Sequence, residues 1–401
     1  MIEIREVKTK RQIKDFIEFP LKLYKGNPYY APTLYMDEKS IFKKNYAYYE
    51  QAEAVYYLAY DGKKIVGRIS GILQRAANEK WKQKRVRFTR FDAIDSQEVA
   101  NALLHQVEEW AKSKGMTEVV GPLGFSDFER EGLLIEKGFD QLSTYEEQYN
   151  YPYYQKLIEN YGYEKEVDWT EYRLFAPDKD KYERIVSLSD AALKRYGLHL
   201  GKAKNTRDFI KKYGDDFFHI AEVTYSDIYG TVPFTEKIKK MYLKAFKLII
   251  NINEVEVVLD ENNRAVCFGL AFPAIAQALQ KSGGRLTLPA IIKTLRAIKH
   301  PKSLDLGVIG SLPEYRLKGI SSVLIAKVAK LLYEGKIEYA ETNLMLESNH
   351  SIHNQWKTFH SIEHKRRRAY LKRIAPKADG EEEHAMYSAV SPADAEKPEK
   401  D

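Results

Sequence analysis

The 401-residue chain has a single cysteine, which excludes an intrachain disulfide and any multi-cysteine zinc site. Cys267 sits in an apolar stretch with no base beside it, so a buried core thiol is expected there rather than a nucleophile. Long hydrophobic runs are missing too. The longest, Phe268 to Leu279, is broken by Pro273 and Gln277 and is too short to cross a bilayer. The start, Met1-Ile2-Glu3-Ile4-Arg5-Glu6-Val7, alternates like a strand and lacks the apolar segment of a secretory signal. These absences predict a soluble, cytoplasmic protein with no membrane partner. The hydrophobic (44%) and charged (30%) fractions are those of a globular chain, and its length suits two domains. A net charge of +7 suits an anionic partner without selecting one. Residues 377–401, with Glu381-Glu382-Glu383, are acidic and poor in apolar residues, so a disordered tail is expected.

One order of elements occurs twice. Val55 to Tyr60, Asp61-Gly62 and Ile65 to Gly71 read as a strand, a hairpin turn and a strand. About two hundred residues on, Val255 to Asp260, Glu261-Asn262-Asn263 and Arg264 to Gly269 repeat the device. A strand, an amphipathic helix and a further strand follow each hairpin. In the first half these are Arg85 to Phe91, Gln97 to Lys114 and Glu118 to Gly121, the helix opening with Asp95 and Glu98 at capping-box spacing. In the second they are Leu304 to Ile309, Ile320 to Tyr333 and Ile337 to Leu346. The order predicts an α/β (α+β) protein of tandem domains, 1–176 and 177–376, each a mixed central sheet flanked by helices. Near 274–299 the second domain carries an insertion of two helices around Gly283-Gly284, either covering a cleft or adding a layer.

Between the strand ending at Gly310 and the helix beginning near Ile320 lies Arg316-Leu317-Lys318-Gly319-Ile320-Ser321. N–H groups at a helix start lack intrahelical partners and carry the positive end of the dipole, so an anion is favoured there. Gly319 and Ser321 let the main chain approach a pyrophosphate, and Arg316 and Lys318 add charge. The next strand ends in Glu347-Ser348-Asn349, before a helix containing Trp356 and Phe359.

This arrangement resembles the GNAT acyltransferase superfamily, in which Q/R-x-x-G-x-G/A opens the helix that cradles the coenzyme A pyrophosphate. Here serine takes the last small position. The resemblance covers roughly Val255 to Ile374. With Asn27-Pro28-Tyr29-Tyr30-Ala31-Pro32 and Gly121-Pro122-Leu123-Gly124-Phe125-Ser126, the whole chain resembles a group of bacterial proteins with two GNAT-like domains. It implies that backbone groups of Leu317, Lys318, Gly319, Ile320 and Ser321 hold the pyrophosphate beside Arg316. It also implies that the strand from Leu306 to Val308 and Ile309 runs along the pantetheine, and that Asn349 contacts its far side. The implied co-substrate is acetyl-CoA or another acyl-CoA, the implied acceptor an amine. At the matching place in the first half, Phe91-Asp92-Ala93-Ile94-Asp95-Ser96 has no glycine, and Asp92 and Asp95 are expected to repel phosphate. A degenerate first domain and one coenzyme per chain follow.

The chemistry is less determined. The family tyrosine that protonates the departing thiolate is replaced by Trp356, whose indole is no practical acid. Glu347 is a candidate base and Tyr370 a candidate acid, each equally readable as a solvated strand residue. His350, His353, His360 and His364 have helical spacings, but without matching carboxylates or cysteines no metal site is expected. Lys80, Lys82, Lys84, Arg85, Arg87 and Arg90 alternate as in an exposed, lysine-defended edge strand, which makes nucleic acid an unfavoured partner. Tyrosines cluster at 46–49 and 149–154, suiting either a polar-ligand groove or packing between domains. The leading expectation is an acyl-CoA-dependent N-acyltransferase, with acetyl as the acyl group. The alternatives are a non-catalytic acyl-CoA sensor and a transferase like the aminoacyl-tRNA-dependent peptide ligases.

Overall fold

The computed structural model describes residues 1–374, and the expected acidic tail lies outside them. The first half runs β1 (Ile2–Glu6), α1 (Lys10–Leu23), α2 (Tyr35–Ser40), β2 (Ala52–Asp61), β3 (Lys64–Gln74), α3 (Arg75–Trp81), β4 (Arg85–Ala93) and α4 (Gln97–Ser113). It continues through β5 (Glu118–Gly121), β6 (Leu133–Leu134), α5 (Tyr153–Asn160) and β7 (Glu164–Phe175). The second half opens with α6 (Lys179–Arg195), β8 (His199–Leu200), α7 (Thr206–Tyr225), α8 (Glu236–Ile249), β9 (Val255–Leu259) and β10 (Ala265–Pro273). The insertion follows as α9 (Ala276–Gln280) and α10 (Leu288–Lys299), then β11 (Ser303–Ser311) and α11 (Ser321–Tyr333). β12 (Tyr339–Thr342), β13 (Met345–Leu346), α12 (His350–Gln355) and β14 (His360–Arg373) end the fold.

The expected hairpins form. Asp61 pairs with Lys64 around Gly62, whose φ of +57° suits glycine, and Asp260 accepts from the N–H groups of Asn262 and Arg264 in the second. In the helix after β4, Ser96 rather than Asp95 is the cap, its Oγ accepting from Val99 N–H at 3.4 Å. The apolar faces of α4 and α11 pack on the two sheet halves: Val99, Leu103 and Val107 lie in one core, Val323 and Leu324 in another.

All strands join one mixed sheet, whose main path is β1-β2-β3-β4-β5-β14-β7-β12-β11-β10-β9-β8. The last strand of each half therefore lies against the other half. β14 pairs with β5, and β7 pairs with β12 and β13. A boundary at 176/177 falls between β7 and α6 along the chain, while in space the two halves exchange these strands. Their shared antiparallel ladder carries buried ion pairs: Lys365 with Glu341, and Arg367 with Glu171 at 2.6 Å. Removing one partner would leave the other charge buried and uncompensated, which holds β14 to this register.

The basic segment before β5 is not the exposed edge expected. β4 lies between β3 and β5 and is buried throughout, and its arginines have internal partners. Arg85 binds Glu118 and Glu166, both at 2.6 Å, Arg87 donates to the carbonyls of Gly124 and Gly230, and Arg90 grips Glu38. The alternation marked two buried faces rather than a solvated one, because each cation arrives with its own acceptor. The tyrosine clusters pack likewise: Tyr46, Tyr48 and Tyr49 gather round Phe125, and Tyr149 and Tyr151 round Tyr24.

Candidate functional site

β11 and β12 run parallel only from Ser303–Tyr339 to Leu306–Thr342 and then diverge. Two features force the split. Opposite β10 the register slips between Leu306 and Val308, so that Gly307 bulges out of β11. Beyond Asn343, the strand expected to run unbroken to Leu346 leaves β11, and Met345 and Leu346 pair with β7 instead. A wedge opens between residues 307–311 and 343–349.

A cavity of about 1320 Å³ occupies this wedge and extends into the first half. Val308, Ile309, Arg316, Ser321 and Asn349 stand in its wall. Leu317 and Lys318 belong to a short 3₁₀ helix, Pro313–Lys318, that leads into α11. Gly319 has a φ of +71° with open space where a Cβ would stand, so the main chain is approachable there. Arg316 is exposed, and Lys318 Nζ sits 4.5 Å from the Tyr315 ring centroid. Ile320 is buried in the core and anchors the turn. Such a start, with two cations and an unobstructed glycine, fits a pyrophosphate. Asn349 caps α12, its side chain accepting from Ile352 N–H at 3.3 Å.

Neither expected catalytic residue stands in the cavity wall. Glu347 is held by Lys165 at 2.5 Å and Arg366 at 2.6 Å, a carboxylate committed to two cations. Tyr370 is carried by β14 into the first half's core, where its hydroxyl donates to Glu159 at 3.1 Å. The strand exchange is the reason. Trp356 does line the cavity, but its Nε1 donates to Met345 Sδ at 2.9 Å. Among the histidines, His353 Nε2 meets the Leu346 carbonyl at 3.1 Å, His360 meets Asp178, and burial with Lys365 nearby lowers His364 to about 3. No group of three or more metal-ligating side chains occurs among the described residues. Cys267 is buried in β10, and burial raises its thiol to about 11.

Three cavity residues carry signals that the sequence reading missed. Tyr225, at the end of α7, donates its hydroxyl to the Ile309 carbonyl at 2.9 Å and accepts from Ile309 N–H at 3.1 Å. It therefore bridges the strand edge that the wedge leaves free. Burial, with Asp127 adding to it, raises this hydroxyl to about 12. Asp127 itself is raised to about 7 by burial, against the pull of its own backbone N–H and Arg87. Glu131 is also pushed well above the usual carboxyl range by burial and by Asp127, and its Oε1 has no hydrogen-bond partner among the described residues. The two acids are neighbours: a Cβ on Gly230 would stand 2.7 Å from Glu131 Oε1 and 3.9 Å from Asp127 Cβ. The available signal was the run Gly124-Phe125-Ser126-Asp127-Phe128-Glu129-Arg130-Glu131-Gly132, acids set among turn residues. Glu38, at the same end of the cavity, behaves oppositely. Burial opposes its charge, but Arg130, Arg90 and Arg68 hold it far below the carboxylate range.

In the first half the corresponding wedge, beyond the parallel pairing of Arg87 with Val120, is filled. Tyr154 accepts from Ala93 N–H at 3.0 Å, Tyr153 donates to the Ala93 carbonyl at 2.7 Å, and Tyr24 joins Tyr154 to Asp92. Asp92 faces inward to Arg68 at 2.7 Å rather than toward a phosphate turn, as expected from the sequence. Only residues 94–96 separate β4 from α4, whereas residues 312–320 separate β11 from α11.

A split mixed sheet, a glycine turn after the splayed strand and a second copy of the same plan define the tandem GNAT fold, and this chain has it. The tandem GNAT protein from the clavulanic acid biosynthesis pathway superposes with a TM-score of 0.55 at 10% identity, over 94% of this chain and all of that one. In sequence the chain is 26% identical to Protein YghO of Escherichia coli K12 over 382 residues, 92% of this chain and 95% of that protein. It is 28% identical to the bacterial ceramide synthase of Caulobacter vibrioides over 255 residues, 62% of this chain and 64% of that protein. No protein-family model matches the sequence.

Proposed function

We propose that the protein is an acyl-CoA-dependent N-acyltransferase whose acceptor is a long-chain amino alcohol. The observation that carries this is the cavity itself. At about 1320 Å³ it exceeds the roughly 300–1,000 Å³ of ordinary small-molecule sites, and apolar residues such as Phe246, Leu270, Phe272 and Leu324 form much of its wall. That is room and lining for two hydrocarbon chains meeting at the wedge. Likeness to a bacterial ceramide synthase supports the same substrate class, since a ceramide is an amide of a fatty acid with a long-chain amino alcohol.

In this reading the turn from Arg316 to Ser321 holds the pyrophosphate, and the β11 edge at Val308 lies along the pantetheine, the N–H and carbonyl of Ile309 being taken by Tyr225. Asp127, ionising near 7, takes the proton of the acceptor amine as its nitrogen attacks the thioester carbon. The C–N bond forms and the C–S bond breaks. The proton on Asp127 then passes to the thiolate, a downhill transfer because an ordinary thiol ionises near about 8.5. One carboxyl thus serves as base and acid, and the tyrosine replaced by Trp356 is not required. Tyr225, whose single hydroxyl proton goes to the Ile309 carbonyl, holds that strand edge in place beside the thioester. Glu131 accepts a hydrogen bond from the acceptor's hydroxyl.

The test is incubation with palmitoyl-CoA and either sphinganine or a panel of short polar amines, followed by mass spectrometry of the amide products. Amide from sphinganine and free thiol in equal amounts, with little from the polar panel, is the expected result. Amides from the polar amines alone would refute the acceptor assignment. Binding of palmitoyl-CoA with no amide from any amine would favour the sensor, for which the committed Trp356 indole is the supporting observation.

A further inference from the structure

Acyl transfer inside the cavity leaves one surface of the second half without a role. α10 buries only Ala290 fully. On its outer side Leu288, Ile291, Ile292 and Leu295 recur at i, i+3, i+4 and i+7 and are 71, 38, 58 and 59% exposed. A helix of a water-soluble protein ordinarily turns such a stripe inward. The apolar surface continues through Leu286, just before α10, and Leu248, near the end of α8; both are exposed and both line the cavity, so they stand at its mouth. Asn251, just after α8, ties that helix to the far end of α10 by donating its Nδ2 to the Ile298 carbonyl at 3.2 Å.

The charge around this surface has one sign. From Asn262 to Leu304 the sequence has no aspartate or glutamate. Lys293, Arg296 and Lys299 flank the stripe on α10, and Lys240, Lys244 and Lys247 lie on α8. No ion pair involves any of these six among the described residues.

We propose that this face docks the protein on an anionic lipid bilayer, with the cavity mouth turned toward the lipid. An interfacial helix places leucine and isoleucine at the acyl boundary and its cations among the headgroups, and α10 has both sets. No helix among the described residues is long and apolar enough to cross a membrane, so the contact is peripheral. Docking itself stands on exposure and charge; entry of the substrate chains from the bilayer through the mouth rests on the proposed function.

The test is flotation of the purified full-length chain with vesicles of phosphatidylcholine alone or mixed with phosphatidylglycerol. Expected is flotation with the mixed vesicles, weak flotation with phosphatidylcholine, and release by high salt. Ile292→Ser with Leu295→Ser, and Lys293→Glu with Arg296→Glu, should each lower the floated fraction about tenfold. Both should leave thermal melting and acetyl-CoA affinity in a titration unchanged, since these side chains line neither cavity nor core. Wild type that stays behind with anionic vesicles would overturn docking even if acylation proceeds. Wild type that floats but acylates nothing would leave docking standing and remove the proposed function. Flotation unaffected by either double variant overturns docking. So does a lipid-free dimer that the Ile292→Ser, Leu295→Ser variant dissociates, because a second copy then covers the stripe.

Discussion

Both halves split their sheet after a parallel pair of strands, β4 with β5 and β11 with β12, and they differ in what occupies the split. In the first half Tyr24, Tyr153 and Tyr154 fill it, and their hydroxyls satisfy Ala93 and Asp92. In the second half a single hydroxyl, that of Tyr225, bridges Ile309, and the rest of the wedge is cavity. The turns differ in the same sense. Three residues, the last of them the serine cap, close the first, while nine residues with an unobstructed Gly319 form the second. The two copies of one plan thus differ in that the first is packed shut and the second holds the cavity. The first copy is still not inert, because it contributes Asp127 and Glu131 to the cavity wall of the second.

Substitutions can break this comparison, and the largest effects are expected at the turn and at Asp127. Gly319→Glu puts a side chain and a negative charge at the turn proposed to hold the pyrophosphate, and acyl-CoA affinity should fall at least about 100-fold in a titration, whereas Asp95→Asn should not change it. Asp127→Asn should lower kcat by about 10²–10⁴-fold with KM little changed. In wild type kcat should rise with pH through about 7, the value to which burial raises Asp127, and the variant should lose that limb. The same group makes a stability prediction. Its folded value lies above its unfolded one, so its contribution is full below about pH 4 and is lost as pH rises through 7. Asp127→Asn should therefore melt higher relative to wild type at pH 8 than at pH 4.

Opening the closed half is the next test. Tyr154→Ala should cost about 3–5 kcal/mol in denaturant unfolding, since the ring is buried against Phe91 and its hydroxyl is bonded, yet create no second coenzyme site. The smallest effect belongs to Tyr370→Phe, about 1 kcal/mol of stability from the lost bond to Glu159, with kcat unchanged.

Local physics made much of this legible in the sequence. Hairpin turns, the faces of α4 and α11 and the glycine turn are each specified by residues close in sequence, and each formed as expected. What depends on distant pairing was not. Whether Arg85, Arg87 and Arg90 face solvent depends on Glu118, Glu166 and Glu38, which no local pattern links to them. Tyr370 was misplaced because β14 crosses to the first half, and a strand's neighbours cannot be read from its own alternation. Asp127 and Tyr225 lie about a hundred residues apart and meet at a wedge that exists only after both halves are assembled. Their neighbourhood, not their spacing, sets the ionisation that makes one of them a candidate base.

The central claim, one open half and one closed, is tested most directly by calorimetric titration of the full-length protein with acetyl-CoA. The account predicts one site per chain, abolished in Gly319→Glu and kept in Asp95→Asn. Two sites per chain, or a single site that survives Gly319→Glu, would contradict it.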